Sequence, residues 1–417
     1  MRGSSAMALT LALTSGAACA QAIEPPPTQI RFQDVTATHL PSIPDQGLAS
    51  MDAEAVDLDK DGDLDLVVPQ EWRANRILIN DGQAIFTARL EPFPKAMADE
   101  LIRPDSAPDW LLKDTEDVSI LDLNGDGILD IIMVVEDDQK FGRVNVHQYF
   151  RGRADGSYER IYGELTDTIS NAVAHGDVDA DGDTDLFVSG AGQDVLLLND
   201  GEGSFTDVTQ GQLPSEDMIA QDAEFFDVDQ DGDLDLVLGL EGGHGLWIND
   251  GKGIFADETA DRLPAIDNVE ARKVTPVDID GDGDLDLYFA HVSWRGLDGQ
   301  DRVYINDGTG VFSDATEARL GTEAQLTLDA KFGDLDRDGD VDLVLGNAGS
   351  IEIYENDGSG RFINVTQEVL GEDNNPAGIN ITLELADFNA DGKLDLFVGQ
   401  LAFGGAPPAK DHLFLGM

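Results

Sequence analysis

Short apolar runs recur along the chain, set apart by stretches rich in Gly, Asp and Asn. No segment sustains apolar residues at the 3.6-residue spacing of an amphipathic helix, so the runs read as strands. One segment shows the unit. In AEFFDVDQDGDLDLVLGLEGGHGLWINDGKGIFADET, Ala223–Phe226 is a first strand and Leu236–Leu240 a second. Leu246–Asn249 is a third, Asn249-Asp250-Gly251 signals a hairpin, and Phe255–Thr259 is a fourth. Four short strands joined by tight connections make one antiparallel propeller blade.

The unit occurs seven times. Its acidic segment starts at Asp57, Asp122, Asp177, Asp227, Asp278, Asp334 and Asp387, at separations of 65, 55, 50, 51, 56 and 53 residues. Periods of this length belong to propeller blades. Asn-Asp-Gly recurs at Asn80, Asn199, Asn249, Asn306 and Asn356, followed by Phe86, Phe205, Phe255, Phe312 and Phe362, which are expected to pack between blades. Asp155-Gly156 before Tyr158 is a diverged copy. The last unit stops after a third strand, His412–Met417, whereas Arg31-Phe32-Gln33-Asp34-Val35-Thr36 matches the fourth-strand sequence Ser204–Thr209. The expected fold is therefore all-β. It is a seven-bladed propeller of four-stranded antiparallel blades, closed by an N-terminal strand that completes the last blade. A ring closed in this way is expected to be a monomer.

Each acidic segment follows D-x-D/N-x-D-G-x-x-D. Positions 1, 3, 5 and 9 are Asp57, Asp59, Asp61 and Asp65; Asp122, Asn124, Asp126 and Asp130; Asp177, Asp179, Asp181 and Asp185; Asp227, Asp229, Asp231 and Asp235; Asp278, Asp280, Asp282 and Asp286; Asp334, Asp336, Asp338 and Asp342; and Asp387, Asn389, Asp391 and Asp395. Position 6 is always Gly. This is the oxygen spacing at the start of a calcium loop, with Gly at the sharp turn. An EF-hand would need Glu at position 12, where Val68, Met133, Val188, Leu238, Phe289, Leu345 and Val398 stand instead. The loop thus joins two strands, and oxygen-only ligation selects Ca2+, up to seven ions in a structural role. Two carboxylates about 4 Å apart repel by roughly 4 kcal/mol at an effective dielectric of 20, so such a segment needs a counter-ion. The loops at Asp122 and Asp387 carry Asn at position 3 and three Asp instead of five, and are expected to bind most weakly.

Charge bears on partners. The chain has 83 acidic and 26 basic residues, a net −57, which excludes a polyanion-binding surface and with it nucleic acid. Seven Ca2+ would add +14 and leave −43. Residues 1–20 read as a signal peptide, with Arg2, an apolar stretch from Ala6 to Ala18 and Ala18-Cys19-Ala20 as the cleavage site. Residues 21–30 read as a linker, and 31–417 as the propeller. Secretion or export to a periplasm follows. Lipidation at Cys19, the only cysteine, is the alternative, although Gly16 stands where an aliphatic residue is usual. No run is long enough for a membrane helix.

DVDADGDTDLFVSG at Asp177–Gly190 and DVDQDGDLDLVLGL at Asp227–Leu240 resemble the FG-GAP and VCBS repeat family, whose calcium-binding propellers include the integrin α-subunit head. The resemblance covers roughly Phe32 to the C-terminus. It implies a calcium-stabilised propeller and leaves the activity open, because relatives include adhesion proteins, lectins and polysaccharide-degrading enzymes. No H-E-x-x-H pair or G-x-S-x-G elbow is present. The expected role is a non-catalytic module for a glycan or an extracellular protein ligand. The alternatives are a polysaccharide-active lyase or hydrolase, or a scaffold subunit of a surface complex. Two features are candidates for ligand binding. Trp72-Arg73 and Trp294-Arg295 follow the second strand of blades one and five, where Trp can stack on sugars and Arg can pair with carboxylates. Asp52, Asp117, Asp222 and Asp329 each stand five residues before a loop, at the start of an innermost strand, and are expected to ring the channel mouth on the face opposite calcium.

Overall fold

The computed structural model describes residues 28–42, 48–89, 92–94, 113–136, 146–215, 219–293, 296–402 and 409–417. The signal peptide and Cys19, most of the linker, Trp294 and Arg295 lie outside the described residues, as does the side chain of Trp72.

Seven antiparallel sheets succeed one another in chain order, each a four-stranded blade, with a fifth strand added at the edge of blade two. The second strand of each begins at position 9 of its loop: Asp65–Val68, Asp130–Val135, Asp185–Val188, Asp235–Leu240, Asp286–His291, Asp342–Asn347 and Asp395–Leu401. These strands are buried on both faces, which is why they read as continuous apolar runs instead of alternating ones. Leu66 and Val68 face blade seven while Val67 faces blade two, and Leu186 and Val188 face blade two while Phe187 faces blade four. Seven apolar clusters result, one per pair of adjacent blades, and the five hairpin Phe residues all pack toward the preceding blade. Phe86, for example, meets Phe388 edge-on at 5.4 Å.

The closing strand is Phe32–Asp34. It pairs antiparallel with His412–Gly416, Phe32 opposite Gly416 and Asp34 opposite Phe414. The match to an ordinary outer strand extends past the strand. In blades three to six an Asp or Asn accepts the N–H of a Thr two residues on, and that Thr hydroxyl accepts an N–H from the third strand. Thr36 makes both bonds at the junction, to Asp34 and from Leu413, each 2.9 Å.

This Thr opens a feature that periodicity cannot reveal. One-turn helices at Thr36–His39, Thr259–Arg262, Thr316–Arg319 and Thr366–Val369, and a distorted turn at Thr209–Gln212, follow the outer strands. The fourth strand of blade four accordingly ends at Asp257, not at Thr259. Glu71–Arg73, expected in a connection, is a strand that pairs with the inner edge of blade two, Glu71 opposite Asp114. Among the described residues no helix is long and apolar enough to cross a membrane.

Candidate functional site

The acidic loops share one construction. The N–H of the Gly at position 6 donates to the carboxylate at position 1 in all seven, at 2.7–3.2 Å. The N–H at position 7 donates to the carboxylate at position 5. Position 4 is left-handed throughout. It is Gly in two loops, but Lys60, Ala180, Gln230, Arg337 and Ala390 hold φ between 55° and 69° in the others. That conformation costs a residue with a Cβ roughly 1–2 kcal/mol, so the surrounding bonds must fix it. The result brings carboxylate oxygens together. In the sets Asp57/Asp59/Asp61, Asp177/Asp179/Asp185, Asp227/Asp229/Asp231 and Asp278/Asp280/Asp282, one oxygen from each residue lies within 4.8 Å of the others.

These residues fit a hard cation. Oδ1 of Asp57, Asp229, Asp280 and Asp334 is buried with no hydrogen-bond partner. A buried, unpartnered carboxylate oxygen is costly unless a cation takes it up. Asp59, Asp179, Asp280 and Asp336 at position 3 hold their protons more tightly than usual, first through burial and then through neighbouring carboxylates. Arg262 and Arg319, from the helical turns, grip the second oxygen of Asp229 and Asp280 at 3.1 and 2.9 Å and aim the first into the loop.

Position 9 has a second task. Its Asp is at most 1% exposed in every blade. One oxygen accepts the N–H of position 2 and the other an N–H at the end of the third strand. Val228 and Asn249 on Asp235, at 3.1 and 2.8 Å, are one case, and blades one, three, five, six and seven repeat it. Burial pushes these acids up, to about 6 at Asp65, Asp130, Asp286 and Asp395 and about 7 at Asp185, Asp235 and Asp342. The hairpin Asn also does more than turn the chain. Asn80, Asn199, Asn249, Asn306 and Asn356 each donate through Nδ2 to a carbonyl at position 2 of the preceding blade's loop and to one in their own blade. The hairpin Gly is needed for a different reason: a Cβ on Gly82, Gly201, Gly251, Gly308 or Gly358 would stand 2.4–2.8 Å from the position-7 Asp carboxylate. The two blades without that Asp, where Ile128 and Lys393 stand, are the two without Asn-Asp-Gly.

The opposite face is built differently. All seven blades line a pocket at the channel mouth, through Asp52, Asp117, Asn171, Asp222, Lys273, Asp329 and Thr382 in turn. The four acids singled out in the sequence do meet there. Three are also inter-blade clamps. Asp117 accepts the N–H of Val173, Asp222 that of Val274 and Asp329 that of Leu383, at 2.9, 2.7 and 2.6 Å, each in the next blade. Two lysines escaped the sequence reading: Lys273 pairs with Asp222 at 3.1 Å, and Lys331 pairs with Glu384 at 3.1 Å. Their own position, five and three residues before a loop, was the available signal. His244 and His291, distant in sequence, also meet, Nε2 to Nε2 at 2.8 Å. The His291 Nδ1 donates to the Gln300 carbonyl, so His291 Nε2 accepts from His244 and both rings are neutral. Burial lowers both, His291 to about 4.

Fold and loops together define a propeller whose blades each carry an acidic loop, several of which could hold a metal ion. The chain belongs to the FG-GAP-like repeat family, whose profile matches residues 177–238, 227–289, 291–345 and 334–398. No curated protein sequence matches it. Solved structures share the fold at low identity. A lectin from Agrocybe aegerita, described for its specific recognition of non-reducing terminal N-acetylglucosamine, is 17% identical over 76% of this chain and 81% of its own, with a TM-score of 0.50. BBS1N in complex with ARL6DN is 10% identical over 93% of this chain and 97% of its own, with a TM-score of 0.52. The extracellular domain of the hybrid two-component system BT4673 from B. thetaiotaomicron is 11% identical over 92% of this chain and 39% of its own, with a TM-score of 0.53.

Proposed function

We propose that this chain is an exported, calcium-stabilised binding module whose ligand, a glycan or an extracellular protein, docks on the face opposite the acidic loops. The carrying observation is the contrast between the two faces. On the loop face, carboxylates and hairpin amides are committed to clamping strands or caging a cation. On the other face, seven blades converge on a mouth lined by charged side chains. The connections that leave the second strands start on the same face, and function concentrates in such loops. Calcium is a structural cofactor here: positions 1, 3, 5 and 9 hold it, and it neutralises carboxylates that otherwise repel. The lectin is a precedent for the fold in a binding role, and the other domain is a precedent for the fold outside the cell.

The test is a glycan and extracellular-protein binding screen on calcium-loaded protein, followed by the Trp72→Ala/Trp294→Ala double variant. The expected result is binding without turnover, weakened in the double variant while calcium content and melting temperature stay unchanged. Product formation from an acidic polysaccharide would replace this reading with the enzymatic one. Binding lost only on altering exposed residues of the loop face would reverse the assignment of faces.

A further inference from the structure

In five blades, one side chain at the head of the third strand has the same local duty. Asn75, His147, Asp194, Asp301 and Asp411 each accept the N–H that stands thirteen residues after the start of their own blade's loop, at 2.7–3.2 Å. Blade four has His244 at this place. There Leu240, thirteen residues after Asp227, pairs with Gly243 in the strand ladder instead. The His244 side chain crosses to blade five and meets His291, Nε2 to Nε2 at 2.8 Å. It lies flat on Phe289, with ring centres 3.6 Å and planes 5° apart. Both imidazoles are buried, and the His244 Nδ1 has no hydrogen-bond partner among the described residues.

A proton added to this pair has no favourable place. The His291 Nδ1 hydrogen is held by the Gln300 carbonyl, and one hydrogen already lies between the two Nε2 atoms. The site left is the His244 Nδ1, where a new N–H would face no acceptor and its charge would stand beside Phe289 and Tyr304. Arg302, at the head of the third strand of blade five, opposes a proton on either ring. Asp298 favours one on His291, but it is paired with Arg302 at 2.8 Å. Asp301 is committed to the His291 N–H and to the hydroxyls of Tyr288 and Thr327. Burial first, and these neighbours after it, hold both rings below the ordinary histidine range, His291 at about 4.

We propose that His244 and His291 form an acid-sensitive latch between blades four and five, closed while both rings are neutral and released in mild acid. The unfolded chain protonates both histidines near the ordinary value of about 6.5, whereas the closed pair does not. The pair therefore costs the fold nothing above about pH 7, and its cost grows as the pH falls. Each histidine lowers the folded-to-unfolded ratio by about twentyfold between pH 7 and 5. Behind the latch lies the apolar cluster of the same seam, with Phe226, Val274, Leu287 and Phe289, which release would open to water.

Urea denaturation and hydrogen exchange of the full calcium-saturated chain, at pH 7 and pH 5, test it on the parent and two variants. His244→Gln can still donate an N–H to the His291 Nε2 but takes up no proton. His244→Phe keeps the flat contact with Phe289, and it carries the comparison if His244→Gln does not fold. The acidic loops are the same in all three proteins, so the difference between parent and variant isolates the histidines. From pH 7 to 5 the parent's folded-to-unfolded ratio should fall about tenfold or more beyond the change in either variant. In the parent, acid should speed exchange in 243–249 and 286–291, after correction for the intrinsic rate, more than at the seam between blades five and six. Histidine-ring NMR of the parent should find both rings, recognised by their mutual contact, still neutral at about pH 5.5; this decides the matter if neither variant folds. The latch is overturned if parent and variants respond equally to acid. It is equally overturned if the two rings protonate at the ordinary value in the folded chain, or if acid-enhanced exchange is spread evenly over the blades.

Discussion

Asp235 carries two roles that one substitution can separate. Replacing it with Ala removes the acceptor for the Val228 and Asn249 N–H groups, both inside the blade. Each buried donor left unpaired costs about 1–3 kcal/mol, so Asp235→Ala should lose about 2–6 kcal/mol in urea denaturation. A pure calcium ligand would show that loss only with calcium present; here it should persist in excess chelator. Spacing alone located this residue, because D-x-D-x-D-G-x-x-D puts an oxygen at position 9 whatever the oxygen does. It did not reveal the clamp, because one of the clamped N–H groups comes from the third strand, whose register is set by packing. The raised pKa values at position 9 add a pH prediction. An acid whose folded value lies above its unfolded value near 3.8 binds protons more readily in the folded state, so ionising it costs stability. That cost is absent below about pH 4 and complete above about pH 7. Chelated protein should therefore melt higher as pH falls from 8 toward 5. Calcium-loaded protein should melt lower over the same range, as protons displace the ion, and a pair of thermal scans compares the two.

At the scale of the element, the N-terminal strand decides whether the ring is closed. Deleting residues 28–38 would strip Phe32–Asp34 from His412–Gly416, remove the Thr36 hydroxyl bond to Leu413, and leave an unpaired strand edge. The truncated protein should aggregate or unfold at low denaturant in light scattering and melting experiments. A stable monomer would contradict closure. Thr36→Val keeps the strand and should cost about 1 kcal/mol, one net hydrogen bond. The strand was legible because Arg31–Thr36 matches Ser204–Thr209 at four of six positions, Phe, Asp, Val and Thr. The helical turns after it were not, since four residues are too few to display a 3.6-residue period and the signal was the Asp/Asn-x-Thr triplet instead. The Glu71–Arg73 strand was hidden for another reason: it borrows its partner from the next blade, and no local pattern announces that.

For the whole molecule, calcium is expected to matter through number more than through single-site affinity. A site that binds only the folded state adds RT ln(1 + [L]/Kd), about 2.7 kcal/mol at 100 Kd and under about 1 kcal/mol at a few times Kd. Millimolar Kd values suit an extracellular setting, and several such sites still sum to a large shift. Chelation should lower the melting temperature, with the ions at the Asp122 and Asp387 loops leaving first in a stepwise titration. An unchanged melt after verified metal loss would mean that calcium does not stabilise the fold. The ring order itself was readable from the seven-fold phase of the loops. The channel was only half readable, because strand periodicity put acids at its mouth without saying which lysine or backbone amide each would meet.

The seam at blade seven has a kinetic meaning. Thr36 and Leu413 are partners 377 residues apart, so the loop they close is nearly the whole domain. Every other blade is assembled from neighbours in sequence, while this one must wait for both ends of the propeller. The final step of folding should be this docking, and under load this seam should be the first to open. The Met417 N–H donates to the Arg31 carbonyl at 3.0 Å, so a short linker could join the two ends there. A circular permutant joined at that point and reopened between two blades would turn the slowest pairing into a hairpin. It should refold measurably faster than the parent in stopped-flow experiments while keeping the same propeller.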